Sequence, residues 1–149
     1  MKSDLDDTYR RYQEALHDLD PALQEDLHRY ICIRFSGYLE RLLYEAVHGY
    51  LGDSRDEAVR NFGASFFKKA PNLNPEALGS LVGRFGQTWS AEIKDFLDIE
   101  PRRNSLGRMI DIRNKTAHGE DYGGSRLNVA TYKDLVDDLH SWITERLLS

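Results

Sequence analysis

One cysteine, four prolines and no long apolar run are the scarcities of this 149-residue chain, and each excludes something. A single thiol cannot form an internal disulfide. Stability must come from burial, which a chain of this length can supply as one ordinary domain, residues 1–149, with no metal or cofactor required. Cys32, set among Ile31, Ile33 and Phe35, is expected to fill a core position rather than act as a nucleophile. No stretch approaches the roughly 20 apolar residues that cross a bilayer. The opening Lys2, Asp4, Asp6 and Asp7 has no apolar segment of signal-peptide type. The expectation is a soluble protein of the reducing cytoplasm, with no membrane partner. A basic excess is missing too: 25 Asp and Glu outnumber 20 Lys and Arg, for a net charge of −5, which argues against a general nucleic-acid coat protein.

What is present is helical periodicity. Leu5, Tyr9, Tyr12, Leu16 and Leu19 form a narrow seam on a first helix that halts before Asp20-Pro21. From Leu23 to Tyr50 a long second helix carries a wide apolar face of Leu27, Ile31, Phe35, Leu39, Leu42, Leu43, Ala46 and Val47, suited to the centre of a bundle; Gly49 and Gly52 end it. Ser54-Arg55-Asp56-Glu57 has the form of a capping box for a third helix, anchored by Phe62 and Phe66 and stopped by Pro71. Asn74-Pro75 starts a fourth, which Gly79, Gly83 and Gly86 are expected to weaken. A short helix from Thr88 to Leu97 carries Trp89, Ile93 and Phe96. Pro101 opens the next, and Gly119, Gly123 and Gly124 form a loop before a last helix faced by Tyr132, Leu135, Val136, Leu139, Trp142, Ile143 and Leu147. With no strand pattern or repeat, the fold class is all-α: a helical bundle with a long central second helix and short additional helices.

The sixth of these helices holds an anomaly. Its apolar stripe runs Leu106, Met109, Ile110, then Arg113 and Ala117, and at about 100° per residue Arg113 repeats the angular position of Leu106. A fixed positive charge occupies an apolar slot. Between Arg102 and Lys115 stand five basic residues (Arg102, Arg103, Arg108, Arg113, Lys115) and one acid, Asp111, whereas Asp4, Asp6, Asp7 and Asp18 make the first helix acidic.

Three chemistries compete. Glu14-x-x-His17, Glu25-x-x-His28 and Glu45-x-x-His48 have the Glu-x-x-His spacing of di-metal bundles, but Glu14 and His17 lie about 180° and 120° from the first helix's seam and point to solvent, while Glu45 and His48 sit on a rim. No metal ligands are expected. Neither a phosphate-binding Gly-rich loop nor a nucleophile elbow is present. That leaves Arg113 and His118. Five residues apart on a helix their side chains diverge by about 140° unless the helix ends near His118, an ending Gly119 can supply. Two readings stand here. Either Arg113 snorkels to water or pairs with a carboxylate while His118 meets the carbonyls of the helix end, or Arg113 binds a phosphate and His118 transfers protons.

The run Arg113-Asn114-Lys115-Thr116-Ala117-His118-Gly119 resembles the signature of the HEPN superfamily: Arg, four to six residues, then His, often with Asn or Asp directly after the Arg. The second-helix stretch CIRFSGYLERLL is similar to the Ser-Gly-x-x-Glu segment of bacterial groups of the RiboL-PSP-HEPN type. The resemblance spans Leu23 to Leu148. It implies a metal-independent endoribonuclease working as a homodimer whose two motifs meet across the interface. His118 would activate the ribose 2′-OH, Arg113 would stabilise charge on phosphorus, and the products would be 2′,3′-cyclic phosphate and 5′-OH ends. Asn114 would position groups, Glu40 would orient the motif, and Arg102, Arg103, Arg108 and Lys115 would guide the RNA backbone. A toxin or antiviral role, with an antitoxin or defence-system partner, is part of the implication. A non-catalytic module binding RNA or a partner protein is the alternative. Two departures are visible: Glu120 stands where toxins controlled by nucleotidylation carry a tyrosine, with Tyr122 out of register, and Glu40 lies on the less apolar side of its helix, so it is expected to face the motif only if that side is the dimer contact.

Overall fold

The structure, a computed structural model, describes residues 1–52, 56–65, 73–119 and 126–148, with the backbone alone at 63–64 and 126–127. All regular structure among these residues is helical: α1 (Lys2–Ala15), a 3₁₀ turn (Leu16–Asp18), α2 (Pro21–Gly52), α3 (Glu57–Ser65), α4 (Pro75–Gly83), α5 (Gln87–Asp98), α6 (Arg102–Ala117) and α7 (Arg126–Leu147). None of these helices is long and apolar enough to cross a membrane.

The 32-residue α2 is the spine of the bundle. It starts before the expected Leu23, because Asp20-Pro21 opens it as well as closing the helix before: Asp20 accepts from the Leu23 N–H at 2.9 Å and Pro21 occupies the first turn, where a missing N–H costs nothing. Ile31, Phe35 and Leu39 on its inner face are at most 1 % exposed, and burying each such side chain contributes about 1.5–3 kcal/mol. Cys32 lies in the same core, and burial pushes its thiol up to about 12, which leaves it protonated and unreactive.

Tyr38 bonds His140 and Gly49 packs on Leu148, so α2 and α7 run parallel. Against them α1 runs antiparallel, its Tyr12 hydroxyl meeting buried His28 and its Asp6 meeting Lys133. Burial lowers the pKa of both His28 and His140, which favours neutral rings that accept the tyrosine hydroxyl at Nδ1. α5 is antiparallel to α7, with Phe96 packed on Trp142 and Glu92 paired with Arg146.

Several local expectations change. The α1 seam tightens into the 3₁₀ turn at Leu16 instead of continuing as α-helix to Leu19. Ser54 and Phe66 lie outside the described residues, as do Pro71, Glu120, Tyr122, Gly123 and Gly124. Asp56 caps the following helix by accepting from the Ala58 N–H at 2.9 Å. Phe62, expected as a buried anchor, is 67 % exposed; with Val59 it lines an apolar groove shared with Val47, Leu51, Leu81 and Phe85. Two of the three glycines named there, Gly83 and Gly86, shape the turn from α4 into α5. A Cβ at Gly83 would stand 3.3 Å from the Ser90 hydroxyl, and Gly86, at φ +120°, makes the turn that no other residue adopts easily.

Candidate active site at the end of α6

α6 buries Ser105, Leu106, Met109, Ile110 and Ile112, and Arg113 lies along the middle of that face. The arginine is therefore directed inward, as its periodicity implies. Ala117, expected on the same stripe, is exposed at the last residue of the helix, while Ile112, which the stripe did not include, is 1 % exposed.

The inward charge meets Glu40. Arg113 Nη1 stands 2.6 Å from Glu40 Oε1 and Nη2 donates to Oε2 at 3.4 Å, with the side chains 27 % and 15 % exposed. Glu40 thus faces the motif inside one protomer, without a second copy, because α6 packs against the flank of α2 that looked polar in the sequence. Burial raises the Glu40 pKa and the Arg113 charge opposes that rise; the ion pair is short, yet desolvation outweighs it. Part of the reason is geometric. Oε1 is buried and, despite its closeness to Nη1, receives no aligned hydrogen bond from the described residues. Nearby on α2, Ser36 Oγ is buried without a partner among the same residues.

His118 is the C-cap residue of α6, at φ −93° and ψ 10°, its N–H shared between the Asn114 and Lys115 carbonyls at 3.2 Å each. Gly119 follows at φ +73°, the left-handed geometry that closes a helix, and its N–H reaches the Thr116 carbonyl at 3.1 Å. The His118 ring is exposed, and Asn114 is half-buried beside Arg113. The structure brings Glu40 and Arg113 together, but α6 stays helical to Ala117, so His118, five residues on, diverges from Arg113 by about 140° and is exposed rather than swung to the arginine's side.

The basic cluster divides. Arg102 stacks at 4.0 Å over Phe96, donates to the Phe96 carbonyl and pairs with Asp138; Arg103 pairs with Asp98. Both tie the start of α6 to its neighbours, roughly 15 Å along the helix from Arg113. Arg108 and Lys115 stand about 140–160° around the helix from Arg113, towards solvent. Among the described residues no three His, Cys, Asp or Glu side chains gather as metal ligands.

A helical bundle with an Arg-to-His run at the end of its penultimate helix now stands beside a direct comparison: the family model RiboL-PSP-HEPN matches residues 3–145. The chain is a RiboL-PSP-HEPN protein. The match begins well before Leu23, where the motif resemblance starts, so α1 belongs to the HEPN domain. No curated protein and no solved structure matches the chain. HEPN membership is compatible with ribonuclease activity or another RNA-related role.

Proposed function

We propose that this HEPN protein is a metal-independent endoribonuclease acting as a homodimer. The observation that carries the reading is the Glu40–Arg113 pair, which holds a guanidinium just before the helix end where His118 is presented. A guanidinium has five N–H donors in a planar fork; Glu40 engages one side, and the 27 % of the side chain left open can take a phosphate oxygen. On this reading His118 accepts the 2′-OH proton, the 2′ oxygen bonds to phosphorus, and the bond to the 5′ oxygen breaks, its leaving oxygen taking a proton from an imidazolium. Arg113 stabilises the charge on phosphorus, giving 2′,3′-cyclic phosphate and 5′-OH ends. Asn114 positions the phosphate, and Arg108 and Lys115 attract the RNA backbone. Arg102 and Arg103 would join them only by leaving their carboxylates.

RNA cleavage by the purified protein in excess chelator is the test, with end-group analysis of the products. His118→Ala and Arg113→Ala should each lower the rate by roughly 10²–10⁴ with an unchanged helical spectrum; cutting at the native rate by His118→Ala would overturn the assignment. In the cell this chemistry suits a toxin or antiviral effector held by an antitoxin or defence-system partner. Growth arrest on expression of the native chain but not of His118→Ala would bear that out.

The second reading, a non-catalytic module that binds RNA or a partner protein, is favoured by the outward His118 ring and by the closure of Arg113 onto Glu40. It expects salt-sensitive RNA retention, or capture of a protein partner, with no cleavage by any variant.

A further inference from the structure

Two polar atoms on the flank of α2 that α6 covers are buried with nothing aligned to them among the described residues: Ser36 Oγ and Glu40 Oε1. Ser36 is 0 % exposed, so bulk water does not reach its hydroxyl. A hydroxyl inside a helix ordinarily satisfies itself on the carbonyl four residues back. Thr8, Thr116 and Thr144 do so in this chain, donating to Asp4 at 2.8 Å, Ile112 at 2.7 Å and His140 at 2.9 Å. Ser36 makes no such bond to Cys32. An idle buried hydroxyl is a cost that alanine would remove, and alanine is also the better helix former. A serine in this position therefore calls for a partner, and the carboxylate one turn further along α2 is the neighbour short of a donor.

Glu40 stands four residues after Ser36 and about 40° around the helix from it. Helical side chains lean towards the N-terminus, which carries the carboxylate back over the turn of Ser36. Cβ atoms at this spacing are about 5–6 Å apart, so the hydroxyl reaches Oε1 by turning about its one side-chain torsion. We propose that Ser36 is a positioning residue: its hydroxyl donates to Glu40 Oε1 and, through that carboxylate, fixes where Arg113 holds its remaining N–H groups. Arg113 Nη1 approaches the same oxygen at 2.6 Å without aligning, and Nη2 reaches Oε2 at 3.4 Å. A second donor on Oε1 pins the plane of the carboxylate, against which the planar guanidinium fork must register. The part Ser36 plays in catalysis rests on the ribonuclease reading above; its bond to Glu40 does not.

Ser36→Ala in the full chain tests both, with Ser36→Cys as a control that keeps a side chain of similar shape but donates only weakly. Burial raises the Glu40 carboxyl and Arg113 opposes the rise; its titration can be followed by carbon-13 NMR. Removing a donor to the ionised form should raise that carboxyl further in both variants. In RNA cleavage kcat should fall about tenfold or more in both with KM little changed, since a displaced guanidinium loses charge stabilisation in the transition state. Native titration of Glu40 in Ser36→Ala, with a gain in stability, would mean an idle hydroxyl and overturn the inference whether or not the chain cuts RNA. Native behaviour of Ser36→Cys would show that Ser36 serves by its shape, and overturn it equally. A raised Glu40 with native kcat overturns the positioning role and leaves the ribonuclease intact. A native chain that cuts no RNA removes the ribonuclease reading, while a raised Glu40 in both variants still upholds the bond.

Discussion

Glu40 is the side chain on which the candidate site turns, since it neutralises an arginine placed where a leucine would fit. Its folded carboxyl titrates above the ordinary 4.5, so the native state retains that proton at pH values where the unfolded chain has lost it. The contribution of this group is fully present below pH 4.5 and is lost as pH rises through the raised value. Glu40→Gln lacks that titration. The stability of the native protein relative to Glu40→Gln should therefore fall as pH is raised from about 4 to neutrality, measured by urea unfolding at each pH. Parallel stability profiles would mean that Glu40 is solvated normally. The inward Arg113 was legible from the 3.6-residue period alone; its partner was not. A carboxylate separated by 73 positions gives no local signal, and the polar flank of α2 looked like solvent-facing surface until α6 was seen to cover it.

Element boundaries show a similar division. The N-terminus of α4 was readable because its cap is local: Asn74 Oδ1 accepts from the Ala77 N–H at 2.8 Å. Asn74→Ala should cost about 1 kcal/mol in thermal or urea unfolding. Gly119, at φ +73°, forces a different outcome at the end of α6. Gly119→Ala places a Cβ in left-handed backbone, at a cost of roughly 1–2 kcal/mol, which the helix can avoid by unwinding its last turn. Amide exchange at His118 and Gly119 should then quicken, while protection at Met109 and Ile110 persists. Protection lost evenly along α6 would show that the glycine matters to the whole helix rather than to its end. Phe62 was misplaced for the opposite reason. An aromatic at helical spacing is normally a core anchor, but the nine-residue α3 lies at the margin and leaves that ring open.

At the scale of the molecule, the acidity of the first helix is less a surface property than it looked in the sequence. Lys2 and Lys133 each lie within 3 Å of both Asp6 and Asp137, a four-charge square that fastens α1 to α7, and Lys133 is only 10 % exposed. Asp137→Asn should lower stability by about 1 kcal/mol at low ionic strength. The loss should shrink in 1 M salt, where the Debye length is about 3 Å; a loss that ignores salt would assign the effect to packing. The all-helical bundle and its spine were visible from composition and period, but nothing local reported that the first and last described helices are neighbours.

That adjacency has a consequence for how the protein is made. Residues 6 and 133 must meet before α1 is secured, and α2 lacks much of its inner cover until α7 lies along it. Contacts so distant in sequence form late, after long-loop closure has been overcome. The nascent chain can close its core only once α7 has emerged from the ribosome. The Glu40–Arg113 pair joins α2 to α6 and so rests on a spine that is fully covered only when α7 docks.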